Sequence, residues 1–164
     1  AMSLYRQMPH LDDSVLAERR ERKLRWAARL HEIGAHISHS NYHRHGAYIL
    51  DHAEAPGFAL PELHYLSLLV LGHRGKLHKL DTDFSDAVFV SLLLSLRLAV
   101  IFCHARRTPV LDDMRLARRV APSLGFTLSV SRDWAASYPQ SMYLLRQETD
   151  AWDRIGLSFK VVVK

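Results

Sequence analysis

The sequence predicts a mainly α fold that ends in a small α+β, βαβ-like subdomain. Three observations carry this reading. Apolar residues recur at helical spacing over roughly the first two thirds of the chain. Pro61, Pro139 and Gly156 stand where helices should begin or stop. Beyond about residue 110 the pattern changes. Phe126-Thr127-Leu128-Ser129-Val130 alternates, and Leu157 to Val163 is rich in β-favouring residues.

Taken in order, Val15 to His36 reads as a helix, with Leu16, Leu24, Ala27, Ala28, Leu30 and Ile33 near helical spacing. Glu18 to Lys23 forms its solvated face, and Gly34 marks its end or a close backbone approach. Ser40 or Asn41 should cap a second helix, Tyr42 to Ala53. Pro56-Gly57-Phe58 is a turn. Pro61 suits the first turn of a third helix, Glu62 to Leu71, because its missing N–H would have no partner there anyway. Leu80 to Asp86 is a loop. The following helix, to about Ala105, is apolar nearly all round and should be buried on several sides. Met114 to Val120 fits strand or helix equally. One helix, Pro139 to Ile155, then joins the two strands of the subdomain. The expected organisation is a flexible segment 1–13, a helical domain 14–108 and a small subdomain 109–164.

Composition narrows the class. A 48% hydrophobic and 24% charged chain is an ordinary globular one, and 7 Gly with 6 Pro leave little material for long linkers. Cys103 is the single cysteine, so no intrachain disulfide forms, which fits a reducing compartment. The opening residues carry no secretory pattern. Ala87 to Cys103 is short for a membrane span and is interrupted by Arg97, so it is a core helix. The formal net charge of +5 permits a polyanionic partner. Histidine is concentrated: eight of 11 lie from His36 to His78.

Three constellations could carry chemistry. His31-Glu32 occupies a place where a metal phosphohydrolase of the HD type carries His-Asp, the pair that holds a metal to activate water. Here Glu replaces Asp, and His10 is the only histidine upstream. The expected reading is a vestigial pair with no metal, in a helix that kept the fold. Second, His36, His39, His43 and His45 do not define a zinc site, which needs several convergent ligands in set geometry, because histidine spacing alone is a weak signal and no Cys supports it. They read as an anion surface around Arg44, with at least half of the rings in packing roles. Third, His73-Arg74-Gly75-Lys76 and Lys79 form a basic turn. Gly75 allows close backbone approach, Arg74 can chelate phosphate oxygens and Lys76 acts as a point charge. Arg106-Arg107 and Arg118-Arg119 read as solvent-facing pairs that could extend an anionic track. Trp26, Trp134 and Trp152 read as packing residues. No Walker loop or nucleophile elbow is present.

Read together, Leu30-His31-Glu32-Ile33-Gly34, His39-Ser40, Tyr42-His43-Arg44-His45, Ala47-Tyr48-Ile49-Leu50, Pro56-Gly57-Phe58 and His73-Arg74 resemble the C-terminal third of the exopolyphosphatases of the Ppx/GppA family. Arg97-Leu98-Ala99, Asp133-Trp134 and Glu148 with Trp152 continue the series. The resemblance runs from about Leu24 to Val163. Gly46 departs from it, since the family often has Ser there, and 111–123 does not align.

The resemblance implies an HD-like helical domain that is not a catalytic metal centre, followed by the small tail. It implies catalysis, with magnesium, in two N-terminal domains of actin-like ATPase fold that this stretch does not contain. The expected function is the polyphosphate-binding, channel-forming region of an exopolyphosphatase, which releases terminal phosphate from inorganic polyphosphate. This stretch alone is expected to hold no catalytic residue, no cofactor and no activity. The expected polyphosphate contacts are Arg44, His45, His73, Arg74, Lys76 and Lys79. Two alternatives stand beside it: the corresponding region of a guanosine pentaphosphate phosphohydrolase, and an autonomous metal phosphohydrolase using His31 and Glu32. The expected partners are polyphosphate, the N-terminal domains of the same chain and a second copy in a homodimer. Nucleic acid and a membrane span are not expected. The expected location is cytoplasmic, with peripheral membrane association as the variant.

Overall fold

The structure, a computed structural model, describes residues 1–8, 14–104, 111–112, 114–119 and 123–164. Its helical part begins earlier than expected. Met2–Tyr5 forms a short helix, α1, and Leu4, Tyr5 and Met8 are buried in the core. Gln7 Oε1 accepts from the backbone N–H of Leu116 at 2.7 Å. Residues 1–8 therefore depart from the expected flexible segment, because three apolar side chains and one backbone bond tie them down. His10 and the rest of that segment lie outside the described residues.

Helix α2 spans Ser14–Leu30 and ends before the predicted His36, where Ile33–His36 forms a tighter 3₁₀ turn. Gly34 explains the break. A Cβ on Gly34 would lie 2.0 Å from Tyr42 O and 2.3 Å from Gly46 N, so the turn touches the backbone of the next helix directly. That helix, α3, spans Tyr42–Asp51. Asn41 precedes it in the left-handed region, φ 55°, which Asn tolerates better than most residues, but its side chain makes no capping bond. Helix α4, Leu60–Gly72, starts with Pro61 in its first turn as predicted, and Glu62 Oε2 accepts from Ala59 N–H at 3.2 Å.

Helix α5, Ala87–Cys103, is capped by Asp86, whose carboxylate accepts from the N–H groups of Val88 and Phe89. Every residue from Phe89 to Leu98 is buried, which makes it the central helix of the molecule. Ser91 and Ser95 satisfy their hydroxyls on Ala87 O and Ser91 O. Among the described residues no helix is long and apolar enough to cross a membrane. Ala105, Arg106, Arg107 and Pro109 lie outside the described residues.

The ambiguous segment contains a strand, β1, Arg115–Arg119. It pairs antiparallel with β2, Gly125–Val130, which pairs in parallel with β3, Ser158–Val163. The parallel pair needs a crossover, and the chain supplies two helices rather than one: α6, Arg132–Ser137, and α7, Pro139–Asp153. Ser131 begins the first by accepting from Trp134 N–H at 3.2 Å. The fold is thus mainly α with a small three-stranded sheet near the C-terminus, as predicted. One apolar cluster runs from Leu24 and Leu66 through α5 to Phe126, Leu128, Trp152 and Phe159.

Candidate functional site

The close seating of α3 against Gly34 and α4 brings the start of α3 beside the turn that follows α4. That turn is basic. Gly75 adopts φ +86°, which reverses the chain, and a Cβ there would stand 3.4 Å from His43 Nε2. A cavity of about 470 Å³ opens between the two elements. Asn41, His43, Arg44, Arg74, Lys76 and Lys79 line its polar side, and among the described residues no carboxylate does. Arg44, Arg74, Lys76 and Lys79 are exposed, and among the described residues none is paired with a carboxylate. The Arg74 guanidinium lies over the Tyr42 ring at 5.2 Å, a cation–π contact that orients it. Four of the six predicted contact residues therefore converge on one cavity.

The other two do not. His45 is half-buried on α3 and does not line the cavity. His73 is 3% exposed. Its Nδ1–H donates to Val70 O at 2.5 Å, which leaves Nε2 to accept from the Tyr42 hydroxyl at 3.3 Å. Burial, together with the positive charge of neighbouring His31, His43 and Arg97, pushes its pKa down to about 3, against the opposing bond to Val70. His73 is thus a neutral ring that positions Tyr42, not a cation for phosphate. His43 is also held below its ordinary value, by burial first and then by Arg44, Arg74 and His45.

Two residues noted in other contexts shape this site. Arg97 interrupts the apolar run of α5, and this break is the signal that pointed to it. Its Nη1 donates to Gly72 O at 2.6 Å and Gly75 O at 3.4 Å, so it clamps the basic turn from beneath. Its other face pairs with Glu148 of α7, and Trp152 Nε1–H donates to the same carboxylate at 2.6 Å. Tyr42 was visible only as part of a motif, and its two contacts depend on the packing of α3 on α4.

His31 and Glu32 follow α2 and line a second cavity of about 880 Å³, which shares Arg74 and Gly75 with the first. His31 Nδ1–H donates to Ala28 O at 2.9 Å, its ring meets His73 edge to face at 5.2 Å, and its Nε2 is 4.0 Å from Glu32 Oε1. Among the described residues no three His, Cys, Asp or Glu side chains converge to hold a metal ion.

The histidine concentration disperses in space. His52 bonds to Tyr48 O and stacks on its ring, and His64 pairs with Asp51, while His36 and His39 are exposed. Arg118 is not solvent-facing as expected: its Nη1 donates to Ser91 Oγ on the central helix. Trp152 is fully buried, Trp134 is 8% exposed, and Trp26 is half-buried against Phe58.

Comparison with known proteins agrees with this architecture. A family model described as Ppx/GppA phosphatase, domain III, matches residues 1–149. A guanosine-5'-triphosphate,3'-diphosphate pyrophosphatase of Pseudoalteromonas translucida is 34% identical over 139 residues, covering 83% of this chain and 27% of the relative. A protein of the same name from Vibrio cholerae is 35% identical over 138 residues, again 83% and 27%. One from Vibrio atlanticus is 32% identical over 136 residues, 81% and 27%. The chain thus spans about a quarter of the length of these relatives. It belongs to the Ppx/GppA phosphatase family, a family of phosphohydrolases, and corresponds to domain III.

Proposed function

We propose that this domain holds the phosphate chain of a polyanionic substrate for a phosphohydrolase whose catalytic groups lie on other domains. One observation carries the reading: Arg44, Arg74, Lys76 and Lys79 line a single cavity that no carboxylate among the described residues lines. Cations left without acidic partners keep their full field for a ligand. Distributed cations also suit a chain of regularly spaced charges, since each contact is weak enough to release as the chain moves. Arg97 fixes the carbonyls of the turn, so the cations are held by a scaffold rather than by a free loop. Hydrolysis itself is assigned to the N-terminal actin-like ATPase domains that the family resemblance implies, where the magnesium would also sit.

Two substrates fit a groove of this kind, inorganic polyphosphate and guanosine pentaphosphate. The names of the relatives favour the second, and the resemblance to exopolyphosphatases favours the first. Titration with polyphosphate across a salt series tests the shared part. If the four cations each neutralise a phosphate, log Kd should change with log salt at a slope of roughly 3, by analogy with single-stranded nucleic acids. Replacing Arg44 and Arg74 together by Ala should reduce that slope by about half. Salt-independent binding, or an unchanged slope in the double variant, rejects the reading.

A further inference from the structure

We infer that the outward face of the three-stranded sheet is a docking surface for single-stranded nucleic acid, which it holds by the sugar–phosphate backbone. The inference is independent of the phosphate-holding groove. The strand register lays this face out. Leu116, Phe126, Leu128 and Phe159 are buried on the inner side, so the alternate positions point away from the core. Those positions form three rows: Arg115 beside Ser129 and Val162, Ala117 beside Thr127 and Lys160, and Arg119 beside Gly125 and Ser158. No position in the three rows is acidic. Arg115, Arg119 and Lys160 are exposed, and among the described residues none of them is paired with a carboxylate. Gly125 makes room for one of these cations. A Cβ there would lie 3.0 Å from Arg119 Nη2, so the guanidinium lies across the bare second strand towards Ser158 on the third.

Spacing and side-chain type select the partner. Arg115 and Arg119 are four residues apart on one strand, about 13 Å, and Lys160 stands two strands away, about 10 Å, level with the midpoint between them. Cations spread over an open face in this way suit a repeating charge better than one compact anion. Arg and Lys, with hydroxyls such as those of Thr127, Ser129 and Ser158, are the groups that take phosphate oxygens and sugars in nucleic-acid interfaces. A membrane surface needs apolar side chains to insert, and a tight protein interface needs an apolar or aromatic anchor. Val162 is the one large apolar side chain on the face. There is no aromatic ring on which bases could stack, so the contact is to the backbone and indifferent to sequence. The inference departs from the expectation of no nucleic-acid partner, because the cations come from strands far apart in the chain and form no local motif.

Fluorescence anisotropy of a labelled oligo-uridylate of about a dozen nucleotides, titrated with the whole chain, tests this. With three phosphates neutralised, log Kd should change with log salt at a slope of about 2. Replacing Arg115, Arg119 and Lys160 together by Gln should weaken binding at low salt by at least about tenfold. Arg115→Lys with Arg119→Lys keeps the charges and should keep the affinity, which separates loss of charge from loss of fold. Arg44→Ala with Arg74→Ala, in the groove, should change it by less than about twofold, since these residues lie off the sheet. Oligo-thymidylate of the same length should bind within about threefold of oligo-uridylate, because the phosphates carry the contact. Four results overturn the proposal: no binding by the unaltered chain, full binding by the Gln variant, a loss that follows the groove variant instead, or a preference above about tenfold for either oligonucleotide. Displacement by poly-glutamate as effective per charge as by unlabelled oligo-uridylate overturns it too, and assigns the face to an acidic protein.

Discussion

Arg97 and Glu148 form a two-pronged ion pair in the core, with Nε 2.5 Å from Oε1 and Nη2 2.7 Å from Oε2, and side chains 7% and 6% exposed. The pair joins α5 to α7, and Arg97 also holds the carbonyls of Gly72 and Gly75. A buried pair of this kind adds little net stability over an apolar replacement, yet losing one partner leaves a stranded charge. Glu148→Ala should therefore destabilise the domain by about 3–5 kcal/mol. Arg97→Met with Glu148→Leu should recover much of that loss. The double variant should still bind polyphosphate more weakly, because the turn carrying Arg74 and Lys76 has lost its clamp. Denaturant midpoints and polyphosphate titrations on the three proteins check this. A double variant as unstable as Glu148→Ala, or one with unimpaired binding, contradicts it.

His73 should make stability depend on pH. Its pKa is about 3 in the folded chain against an ordinary value of 6.5. Between these values the unfolded chain binds a proton that the folded chain excludes, so unfolding takes up a proton. Stability from this group is complete above about pH 6.5 and declines as the pH falls towards 3, at up to about 1.4 kcal/mol per pH unit. His43 is shifted in the same direction and adds to the decline near its upper end. His73→Asn keeps an N–H for Val70 O but cannot titrate. It should lower stability at neutral pH and flatten the slope by about one proton. A slope unaltered in that variant would show that other groups produce it.

Much of the helical architecture is legible in the sequence, because apolar spacing, Pro61, Pro139 and Gly156 are local signals. What escapes reading is set by contacts between distant segments. The end of α2 at Leu30 depends on the backbone of α3 pressing on Gly34, and nothing in the local pattern forces it. Leu4, Tyr5 and Met8 look like an unanchored start until α5 and β1 are in place. The basic groove is half legible. Arg44, Arg74, Lys76 and Lys79 announce themselves by charge, but His73 carries the same signal and is buried. Its position on the inner side of the turn separates it from Arg74, and residue type alone cannot reveal that.

Gly34 and Gly46 give a packing prediction in which two effects oppose. Alanine favours a helix interior over glycine by about 0.5–1 kcal/mol, so on propensity alone Gly46→Ala or Gly46→Ser should do no harm. A Cβ at Gly46 would stand 2.9 Å from Val70 Cγ1 and 3.3 Å from Ile33 Cγ2, both ends of side chains. These can shift by a few tenths of an ångström at a cost of about 1–3 kcal/mol, so the clash should prevail narrowly. At Gly34 the obstacles are backbone atoms of Tyr42, His45 and Gly46, which cannot move without displacing α3. Gly34→Ala should therefore cost clearly more than Gly46→Ser, at least about 3 kcal/mol, and should also weaken polyphosphate binding by displacing Arg44. Thermal denaturation of the two variants gives the ranking. The reverse order would mean that the two helices do not meet at Gly34.

The His31–Glu32 pair yields a test of the autonomous metal reading. His31 has its Nδ1 engaged with Ala28 O, so only Nε2 could face a metal, and Glu32 is largely solvated. A divalent ion held by one imidazole and one mobile carboxylate would keep most of its water and bind weakly, because catalytic zinc sites take three protein ligands. Purified protein is expected to carry well under one equivalent of transition metal by elemental analysis. Chelator treatment should leave its melting temperature unchanged, since a tightly bound ion would stabilise the folded state in proportion to its affinity. The chain alone should release no phosphate from polyphosphate. His31→Ala should then alter neither metal content nor activity. Stoichiometric metal that disappears in His31→Ala, accompanied by hydrolysis in the unaltered chain, would reinstate the pair as a catalytic centre and reassign the neighbouring groove to its substrate.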